Sequence, residues 1–419
     1  MKNKPDYLYE KNTNTERVSK RALIITSVAS MVDQFIIPSI ELLISMGYEV
    51  DVATSFIKGS TCSDEKIKEL IETLDKISVD CYQIDFDRKI LDIRADVKAF
   101  KQVNAVMQGK ANPINSIRHH YINEAAGVNY TLVHSHSPIG GVVGRIEAKK
   151  HNIFSIYTAH GFHFYTGAPK SNWLIFYPIE YLLSFITDVL ITINTEDYER
   201  AKKRLKARKT VYVPGIGIDV QKYKNVNIDR DRKRIELGIE AKDIMLLSVG
   251  ELNVNKNHKV VVEAIGLMDR AERNNLHYFI AGKDAGQYDE LVKLAEKENV
   301  NLHLLGFRTD IPELLKATDA FILPSIREGL NVSLMEAMAS EKACMASNIR
   351  GNRDLIDDGV SGYLVDNNPR NICEIIKRLI TDNTSEMEYK AYEAIKLKDV
   401  SHILEMLKSV YEAENAIKS

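Results

Sequence analysis

Short runs of aliphatic and β-branched residues alternate with amphipathic helical patterns along most of the chain, and this alternation constrains the fold more than any other feature. Such alternation is typical of parallel sheets that are covered by helices. The pattern stops in a polar, charged passage after Pro214 and restarts at a buried run, Ile244–Val249, that ends in Gly250. The sequence therefore predicts two doubly wound α/β units in tandem, with a ligand cleft at the carboxyl ends of their strands.

The expected strands fall into two sets, one in each half of the chain. The first set lies at residues 21–27, 49–54, 82–86, 131–134, 154–158, 189–193 and 210–213, and the second at 244–249, 277–281, 301–304, 320–323 and 362–365. From this division we expect a disordered polar tail over 1–20, an N-terminal Rossmann-like domain over 21–214, a linker over 215–238, a C-terminal Rossmann-like domain over 239–398 and a C-terminal helix over 399–419 that packs back toward the N-terminal domain.

The composition is that of an ordinary globular protein, with 45% hydrophobic and 27% charged residues over 419 positions. A net charge of −2 excludes a bulk nucleic-acid binder. The four cysteines lack CxxC spacing, which argues against a zinc site and fits a reducing cytoplasm. The polar start lacks the apolar core of a signal peptide, and no apolar run reaches transmembrane length, so any membrane contact is expected to be peripheral.

The segment 324–340 places two glutamates around an expected strand-to-helix junction. The preceding strand ends at Pro324, and a helical pattern begins after Gly329. Glu336 is the only charge on that otherwise apolar helix, so its carboxylate needs a partner. Glu328 precedes the helix, whose first N–H groups could bind an anion. A hydroxyl-rich ligand that carries phosphate would meet both requirements, although for the pair alone a solvated stripe is the more common explanation.

A second candidate site follows the first strand of the second domain. A glycine turn at Gly250 is followed by Lys256 just before a helix, so backbone amides and an ammonium group could converge on one phosphate. The loop has neither the GK[ST] ending of a Walker loop nor a GxGxxG pattern. A loop whose lysine is merely solvated is an equally good explanation of this segment taken alone.

Histidines end two neighbouring strands of the first domain. His134 and His136 end one strand and His160 ends the next, at the edge where such sheets bind ligands, which favours proton handling or hydroxyl contacts. Zinc binding is a weak alternative because no acidic or thiol ligand accompanies them locally. The segment 85–87 has the DxD form of a metal–nucleotide motif, but strand alternation explains it, with both aspartates pointing outward.

Two further features are open to more than one explanation. The basic residues within 200–209 are expected to be the solvated face of a helix, with a patch that faces anionic lipid as the alternative. The aromatic residues within 162–181 could dock a lipid-like acceptor, and they could equally belong to the core.

Taken together, the chain from about Arg21 onward resembles the family 4 retaining glycosyltransferases of the GT-B fold, particularly those of bacterial capsule and exopolysaccharide synthesis. The most specific matches are VHSHSP (133–138), YTAHGFHFYTGAP (157–169), LITINTEDYERAK (190–202), VPGIGID (213–219), GELNVNKNH (250–258), Glu328-x7-Glu336 and RGNRDLIDDGVSGYLV (350–365). Matches of this length, in family order, indicate the GT-B fold of two Rossmann-like domains that face a cleft.

The resemblance implies a metal-independent hexosyltransferase that retains the anomeric configuration and needs no cofactor. Its donor would be a nucleotide sugar, expected to be a UDP-sugar, and its acceptor a polyprenyl-diphosphate-linked glycan in capsule or exopolysaccharide synthesis. The expected location is the cytoplasm, at the inner face of the membrane, and no nucleic-acid partner is expected. The other functions considered are transfer to a soluble acceptor, and sugar-nucleotide binding without catalysis.

The resemblance also assigns roles to individual residues, with no metal ligands among them. The catalytic candidates, which would lie near the transferred sugar, are His136, His160 and Glu328. The donor-binding candidates are Gly250, Lys256, Glu328, Asn331, Val332, Ser333 and Glu336, among which the lysine would neutralise the diphosphate and the last glutamate would hold the ribose. The acceptor-side candidates are His163, Phe164 and Tyr165.

One departure from the family pattern affects the expected phosphate site. Glu251 stands where most relatives carry an arginine, and this places an anion beside the expected diphosphate. Either its side chain points away, or a second cation comes from Arg327, Arg350 or Arg353, which the sequence alone does not rank.

Overall fold

The computed structural model describes residues 20–57, 62–86, 93–115 and 129–417. The tail predicted over 1–20 lies outside the described residues except for Lys20, and so does Asp87 of the DxD segment.

The first unit is built on a sheet of seven parallel strands in the order β3-β2-β1-β4-β5-β6-β7. The strands are β1 (Lys20–Ile25), β2 (Tyr48–Thr54), β3 (Asp80–Gln83), β4 (Tyr130–His136), β5 (Phe154–Ala159), β6 (Val189–Thr192) and β7 (Lys209–Tyr212). The strand order reverses between β1 and β4, which is where a doubly wound sheet opens its ligand crevice. The loops after β1, β4 and β5 therefore define the first wall of the site.

Helices cover both faces of this sheet. They are α1 (Ala29–Met31), α2 (Ile37–Ser45), α3 (Asp64–Lys76), α4 (Ile93–Met107), α5 (Pro138–Lys150), α6 (Lys170–Ser184) and α7 (Thr195–Arg204), and a π-helical turn (Val32–Ile36) joins the first two. Side-chain caps define several helix starts; for example, Asn194 Oδ1 accepts a hydrogen bond from the Asp197 amide at 2.8 Å. The π-helical turn widens the backbone beside the crevice, and such turns are frequent at functional sites.

The second unit is a sheet of six parallel strands in the order β10-β9-β8-β11-β12-β13. After α8 (Val220–Lys224) and α9 (Arg230–Glu236), its strands are β8 (Ile244–Val249), β9 (Leu276–Ala281), β10 (Asn301–Gly306), β11 (Ala320–Leu323), β12 (Ala343–Ser347) and β13 (Tyr363–Val365). Its other helices are α10 (Lys259–Gly266), α11 (Arg270–Arg273), α12 (Tyr288–Glu298), α13 (Ile311–Ala317), α14 (Val332–Ala339), α15 (Arg350–Arg353), α16 (Pro369–Thr381) and α17 (Ser385–Lys396). The predicted tandem of two parallel α/β units is confirmed.

The last helix, α18 (Val400–Ile417), returns to the first unit and packs against α2. Ile403, Leu407 and Tyr411 are buried in the core of that unit, and Tyr48 Oη donates a hydrogen bond to Glu414 Oε2 at 2.5 Å. Burial of this apolar face ties the end of the chain to the start of the fold. Within the described parts of the chain, none of the helices has the length and apolarity needed to cross a membrane.

Candidate active site

A cavity of about 780 Å³ lies between the two units, beside the carboxyl ends of their strands. The first unit contributes residues 33–35 of the π-helical turn, and the second contributes the loops after β8 and β11 and the start of α14. A cleft of this volume fits a ligand of nucleotide-sugar size. All of the donor-binding candidates line it, namely Gly250, Lys256, Glu328, Asn331, Val332, Ser333 and Glu336.

Lys256 reaches the cavity by passing over Gly250. A Cβ atom at position 250 would lie only 2.9 Å from Lys256 Cε, so a side chain there would displace the lysine. Lys256 Nζ donates a hydrogen bond to Glu328 Oε1 at 2.8 Å, and both side chains are largely buried. The structure therefore brings the predicted phosphate cation and the predicted sugar-binding carboxylate into direct contact.

The N-terminus of α14 opens on the same cavity. Asn331 caps the helix, since its Oδ1 accepts a hydrogen bond from the Leu334 amide at 3.0 Å and from Ser333 Oγ at 2.7 Å. The first amide groups of a helix carry a partial positive charge and favour an anion. A phosphate group in the cavity would thus meet these amides on one side and Lys256 on another.

Glu336 finds its partner in Tyr223, which sequence reasoning missed. Tyr223 Oη on α8 donates a hydrogen bond to Glu336 Oε1 at 2.5 Å. Burial nevertheless raises the pKa of Glu336, because desolvation of the carboxylate outweighs the hydrogen bond from Tyr223 and the charge of Lys222. A buried carboxylate at the wall of a cavity can accept hydrogen bonds from a vicinal diol such as a ribose.

The histidines form one buried cluster behind the first wall. His160 lines a second cavity, of about 310 Å³, whereas His136 is only 3% exposed and its Nδ1 lies 3.1 Å from His160 Nε2. His134 lies 3.0 Å from the Tyr411 hydroxyl and 2.8 Å from Thr158 Oγ1. Desolvation lowers the pKa of His160 to about 4 and that of His134 to about 3. The rings are therefore neutral at physiological pH and suit hydrogen bonding better than proton transfer.

The acceptor-side candidates separate into two surface residues and one core residue. His163 lines the cavity of 310 Å³ and stacks on Phe176 with ring centroids 4.4 Å apart. The Tyr165 ring lies 4.6 Å from the Arg350 guanidinium. The prediction for Phe164 is wrong, because its side chain is 0% exposed and stacks on Phe162 in the core.

Contacts across the cleft were not anticipated from the sequence. Arg350 Nη1 donates a hydrogen bond to Asp197 Oδ1 at 2.8 Å in a buried ion pair that joins the two units. Thr195 binds Asp354 through its amide and its hydroxyl, at 2.7 and 2.5 Å. Gly329 packs so closely on the His160 carbonyl that a Cβ atom there would lie 2.3 Å from the oxygen.

These contacts give different positions to the three arginines that the sequence did not rank as a second cation for the phosphate site. Arg350 joins the units, and Arg353 binds the side chain and carbonyl of Asn348. Arg327 lines the cavity of 310 Å³ beside His163. Glu251 lies exposed at the wall of the larger cavity, where its carboxylate accepts a hydrogen bond from Asn253 Nδ2 at 3.1 Å.

Across residues 20–57, 62–86, 93–115 and 129–417, no group of three or more histidine, cysteine, aspartate or glutamate side chains is placed to hold a metal ion.

Two facing parallel α/β units, with a cleft at their strand ends, define the GT-B class of glycosyltransferase folds. Comparison with protein families agrees: a glycosyl transferase 4-like family model matches residues 25–194, and a glycosyl transferases group 1 model matches residues 229–397. Together the two models span both units, and the chain belongs to the glycosyltransferases that they describe.

Curated relatives are similar over more than half of the chain. EpsD of Bacillus subtilis (strain 168), provisionally named a glycosyltransferase, is 41% identical over 243 residues, which cover 56% of this chain. UDP-Gal:alpha-D-GlcNAc-diphosphoundecaprenol alpha-1,3-galactosyltransferase of Escherichia coli is 32% identical over 249 residues, which cover 57% of this chain. Each alignment covers 63% of the relative's own length.

Solved structures share the fold at low sequence identity. The crystal structure of Anabaena Alr3699/HepE in complex with UDP and glucose superposes with a TM-score of 0.72 at 18% identity, covering 94% of this chain and 100% of that one. WaaG, a glycosyltransferase involved in lipopolysaccharide biosynthesis, superposes with a TM-score of 0.66 at 16% identity, covering 93% and 99%.

Proposed function

We propose that this protein is a retaining hexosyltransferase that moves a hexose or N-acetylhexosamine from a UDP-sugar onto a polyprenyl-diphosphate-linked glycan, without a metal ion. The observation that carries the proposal is the cavity of 780 Å³, because one wall combines Lys256, the N-terminus of α14 and the buried Glu336. These groups match, in order, a diphosphate charge, its oxygens and a ribose diol. The cytoplasmic face of a membrane, where such an acceptor would be met, is the proposed place of action.

Donor binding is proposed to rearrange the Lys256–Glu328 pair. The ammonium group that now binds Glu328 Oε1 would turn to the diphosphate, which carries more negative charge than one carboxylate. Glu328 would then be free to accept hydrogen bonds from hydroxyls of the sugar. The same exchange places the cation where the leaving group gains charge, as the sugar–phosphate bond breaks.

The transfer itself then needs little from the protein beyond electrostatic stabilisation and positioning. The bond between the anomeric carbon and the phosphate oxygen breaks, and the acceptor hydroxyl adds to the same face of the sugar while its proton passes to the departing phosphate. Lys256 and the amides of α14 stabilise the developing UDP anion. His160, neutral because burial lowers its pKa to about 4, offers a hydrogen bond to the sugar rather than a proton.

The choice of donor and acceptor draws support from proteins that this chain resembles. The Escherichia coli relative is named for transfer from UDP-Gal to a diphosphoundecaprenol-linked sugar. A relative in Campylobacter jejuni, 26% identical over 332 residues, is named for transfer of N-acetylgalactosamine to a diphospho-undecaprenol-linked sugar. The Anabaena structure of the same fold holds UDP and glucose.

A transfer assay tests this proposal. The protein is incubated with each of several UDP-sugars, a polyprenyl-diphosphate-linked acceptor and a chelator, and the anomeric configuration of the product is determined by NMR. We expect product with retained configuration, and turnover about 10²–10³-fold lower in Lys256→Ala and Glu336→Ala. The matched control Lys242→Ala changes an exposed lysine of the second unit and should be neutral.

Each alternative function gives a different result in this assay. Equal turnover in wild type and both site variants would refute the assignment of the site. Donor binding without transfer to any acceptor would indicate a sugar-nucleotide-binding protein. Transfer to a free glycan but not to the lipid-linked one would indicate a soluble acceptor.

A further inference from the structure

Helix α6 carries an apolar stripe on its solvent-facing side. Leu174, Leu182 and Phe185 are 77%, 66% and 59% exposed, and Pro178 between them is exposed as well. These positions recur at helical spacing, so their side chains share one face. A single exposed apolar residue is normal on a protein surface, but a contiguous stripe is typical of an interaction surface.

The exposure of this stripe does not come from a loosely attached helix. The opposite face of α6 packs into an aromatic cluster, where Tyr177 lies 5.3 Å from Phe164 between ring centroids and Trp173 lies 5.6 Å from the same ring. Arg145 Nη1 also donates a buried hydrogen bond to Glu180 Oε2 at 2.8 Å. The helix is therefore held rigidly, with its apolar stripe facing outward.

A basic cluster over residues 202–209 lies beside the C-terminal end of α6. Its exposed members are Lys202, Lys203, Arg204, Lys206, Arg208 and Lys209. The Lys206 amide donates a hydrogen bond to Ser184 Oγ at 2.8 Å, and the Arg208 amide donates one to the Thr187 carbonyl at 3.0 Å, so the cluster adjoins the last turn of the helix.

Most of the positive charge in this cluster is not neutralised. Lys203 pairs with Glu199 at 3.3 Å, and Arg208 lies 4.0 Å from Asp188. Within the described part of the chain, the other four members make no ion pair. The surface thus combines an apolar stripe with a strong local excess of positive charge, although the whole chain has a net charge of −2.

We propose that the stripe of α6 and the adjoining basic cluster dock the protein on the surface of an anionic lipid bilayer. Apolar side chains on one face of a helix enter the boundary between headgroups and acyl chains, while lysine and arginine side chains bind the anionic headgroups. A second copy of the chain fits less well, because symmetric pairing would bring two basic clusters together.

The helix that carries this surface adjoins the cavity of 310 Å³. The loop over residues 161–169 leads from the cavity of 310 Å³ into α6, and His163 of that loop stacks on Phe176 of the helix. Docking through α6 would therefore present this cavity close to the bilayer, where a lipid-linked acceptor resides. The link to an acceptor rests on the proposed function, whereas docking itself does not.

Vesicle co-sedimentation tests docking without turnover. The full chain is mixed with vesicles of equimolar phosphatidylcholine and phosphatidylglycerol, and separately with vesicles of phosphatidylcholine alone. We expect binding to the first that weakens with salt, and little binding to the second. The triple variant Lys202→Gln, Lys203→Gln, Lys206→Gln should bind about 100-fold more weakly, since each charge contributes roughly fivefold.

The contribution of the apolar stripe is tested with Leu174→Ser and Leu182→Ser, each of which is expected to weaken vesicle binding about tenfold. Matched controls lie on the second unit: Ile235→Ser changes an exposed apolar residue, and the triple variant Lys242→Gln, Lys293→Gln, Lys297→Gln changes exposed lysines. Both controls should bind vesicles as the wild type does. Every variant should also keep wild-type affinity for UDP, measured by calorimetry, because none of these residues lines the donor cavity.

The outcomes separate docking from the proposed function. The docking proposal would be overturned if the protein did not bind anionic vesicles. It would also be overturned if the α6 variants, the basic-cluster variant and the control variants all bound them equally well. A stable dimer in light scattering that Leu174→Ser converts to monomer would overturn it too, because the stripe would then be a protein interface. If the wild-type protein binds anionic vesicles but does not bind UDP, the proposed function is refuted and the docking proposal stands.

Discussion

Replacing Glu336 with glutamine is expected to stabilise the fold and to weaken nucleotide binding. The amide has the shape of the carboxylate, and its carbonyl oxygen still accepts the hydrogen bond from Tyr223. Since burial raises the pKa of Glu336, the folded protein disfavours the ionised carboxylate, which lowers the free energy of unfolding at neutral pH. Glutamine removes that cost, so the midpoint of thermal unfolding should rise.

The sign of the pH dependence follows from the same shift in pKa. Wild-type stability should gain from Glu336 as the pH falls through its raised pKa, because the folded state takes up the proton first. In Glu336→Gln this contribution is absent. The difference in unfolding free energy between variant and wild type should therefore be largest at neutral pH and shrink toward acid pH.

Binding should change in the opposite direction. A hydrogen bond to a charged group contributes about 1.5–3 kcal/mol. Losing the hydrogen bond from one ribose hydroxyl to the carboxylate should therefore raise the Kd for UDP roughly 10- to 150-fold. Calorimetry with UDP and thermal unfolding without it measure the two effects. Glu296→Gln, an exposed glutamate on α12, is the matched control and should change neither. A variant with a lower unfolding midpoint and an unchanged Kd would refute this reasoning.

Three further predictions concern other parts of the cleft. Lys256→Met should raise the Kd for UDP at least tenfold, because a charge-assisted contact of 1.5–3 kcal/mol is lost; calorimetry showing an unchanged Kd would contradict this. Burial lowers the pKa of His134 to about 3, so the free energy of unfolding should fall as the pH drops from about 6.5 toward that folded-state pKa. Urea unfolding at several pH values should show a smaller fall in His134→Gln. Gly329→Ala should push the units apart at the His160 carbonyl, where a Cβ atom would lie 2.3 Å from the oxygen, and small-angle scattering should report a larger radius of gyration; an unchanged radius with full activity would argue against close packing there.

Much of the fold is readable from local pattern. Buried parallel strands have a continuous apolar signature, so twelve of the strands could be predicted near their observed positions. The exception is β12, Ala343–Ser347, which has no β-branched or aromatic residue and follows a helix rich in the same small residues. Its strand conformation depends on pairing with β11 and β13 rather than on its own composition.

Only part of the candidate site could be predicted, because some of its contacts join residues that lie far apart in the sequence. Gly250, Lys256 and Glu328 follow strand ends, and the topology of the fold alone brings such positions together. The bond from Tyr223 to Glu336 joins residues 113 apart, and the bond from Arg350 to Asp197 joins residues 153 apart across the cleft, so neither leaves a local signal.

The error at Phe164 has a different cause. Phe162 and Phe164 are buried while His163 and Tyr165 lie nearer the surface, which is the alternation of an extended segment. The sequence carried that signal. Phe164 therefore faces the core, although its two neighbours in the sequence do not.

Titration of UDP into the wild-type protein and into the double variant Lys256→Met, Glu336→Gln, with a chelator present throughout, tests the central claim most directly. If the cavity between the two units binds a nucleotide sugar through these side chains, the wild type will bind UDP without a metal ion. The double variant will then bind at least 100-fold more weakly, since two charge-assisted contacts are lost. Wild-type binding that requires a divalent cation, or equal affinity in the two proteins, would contradict the account.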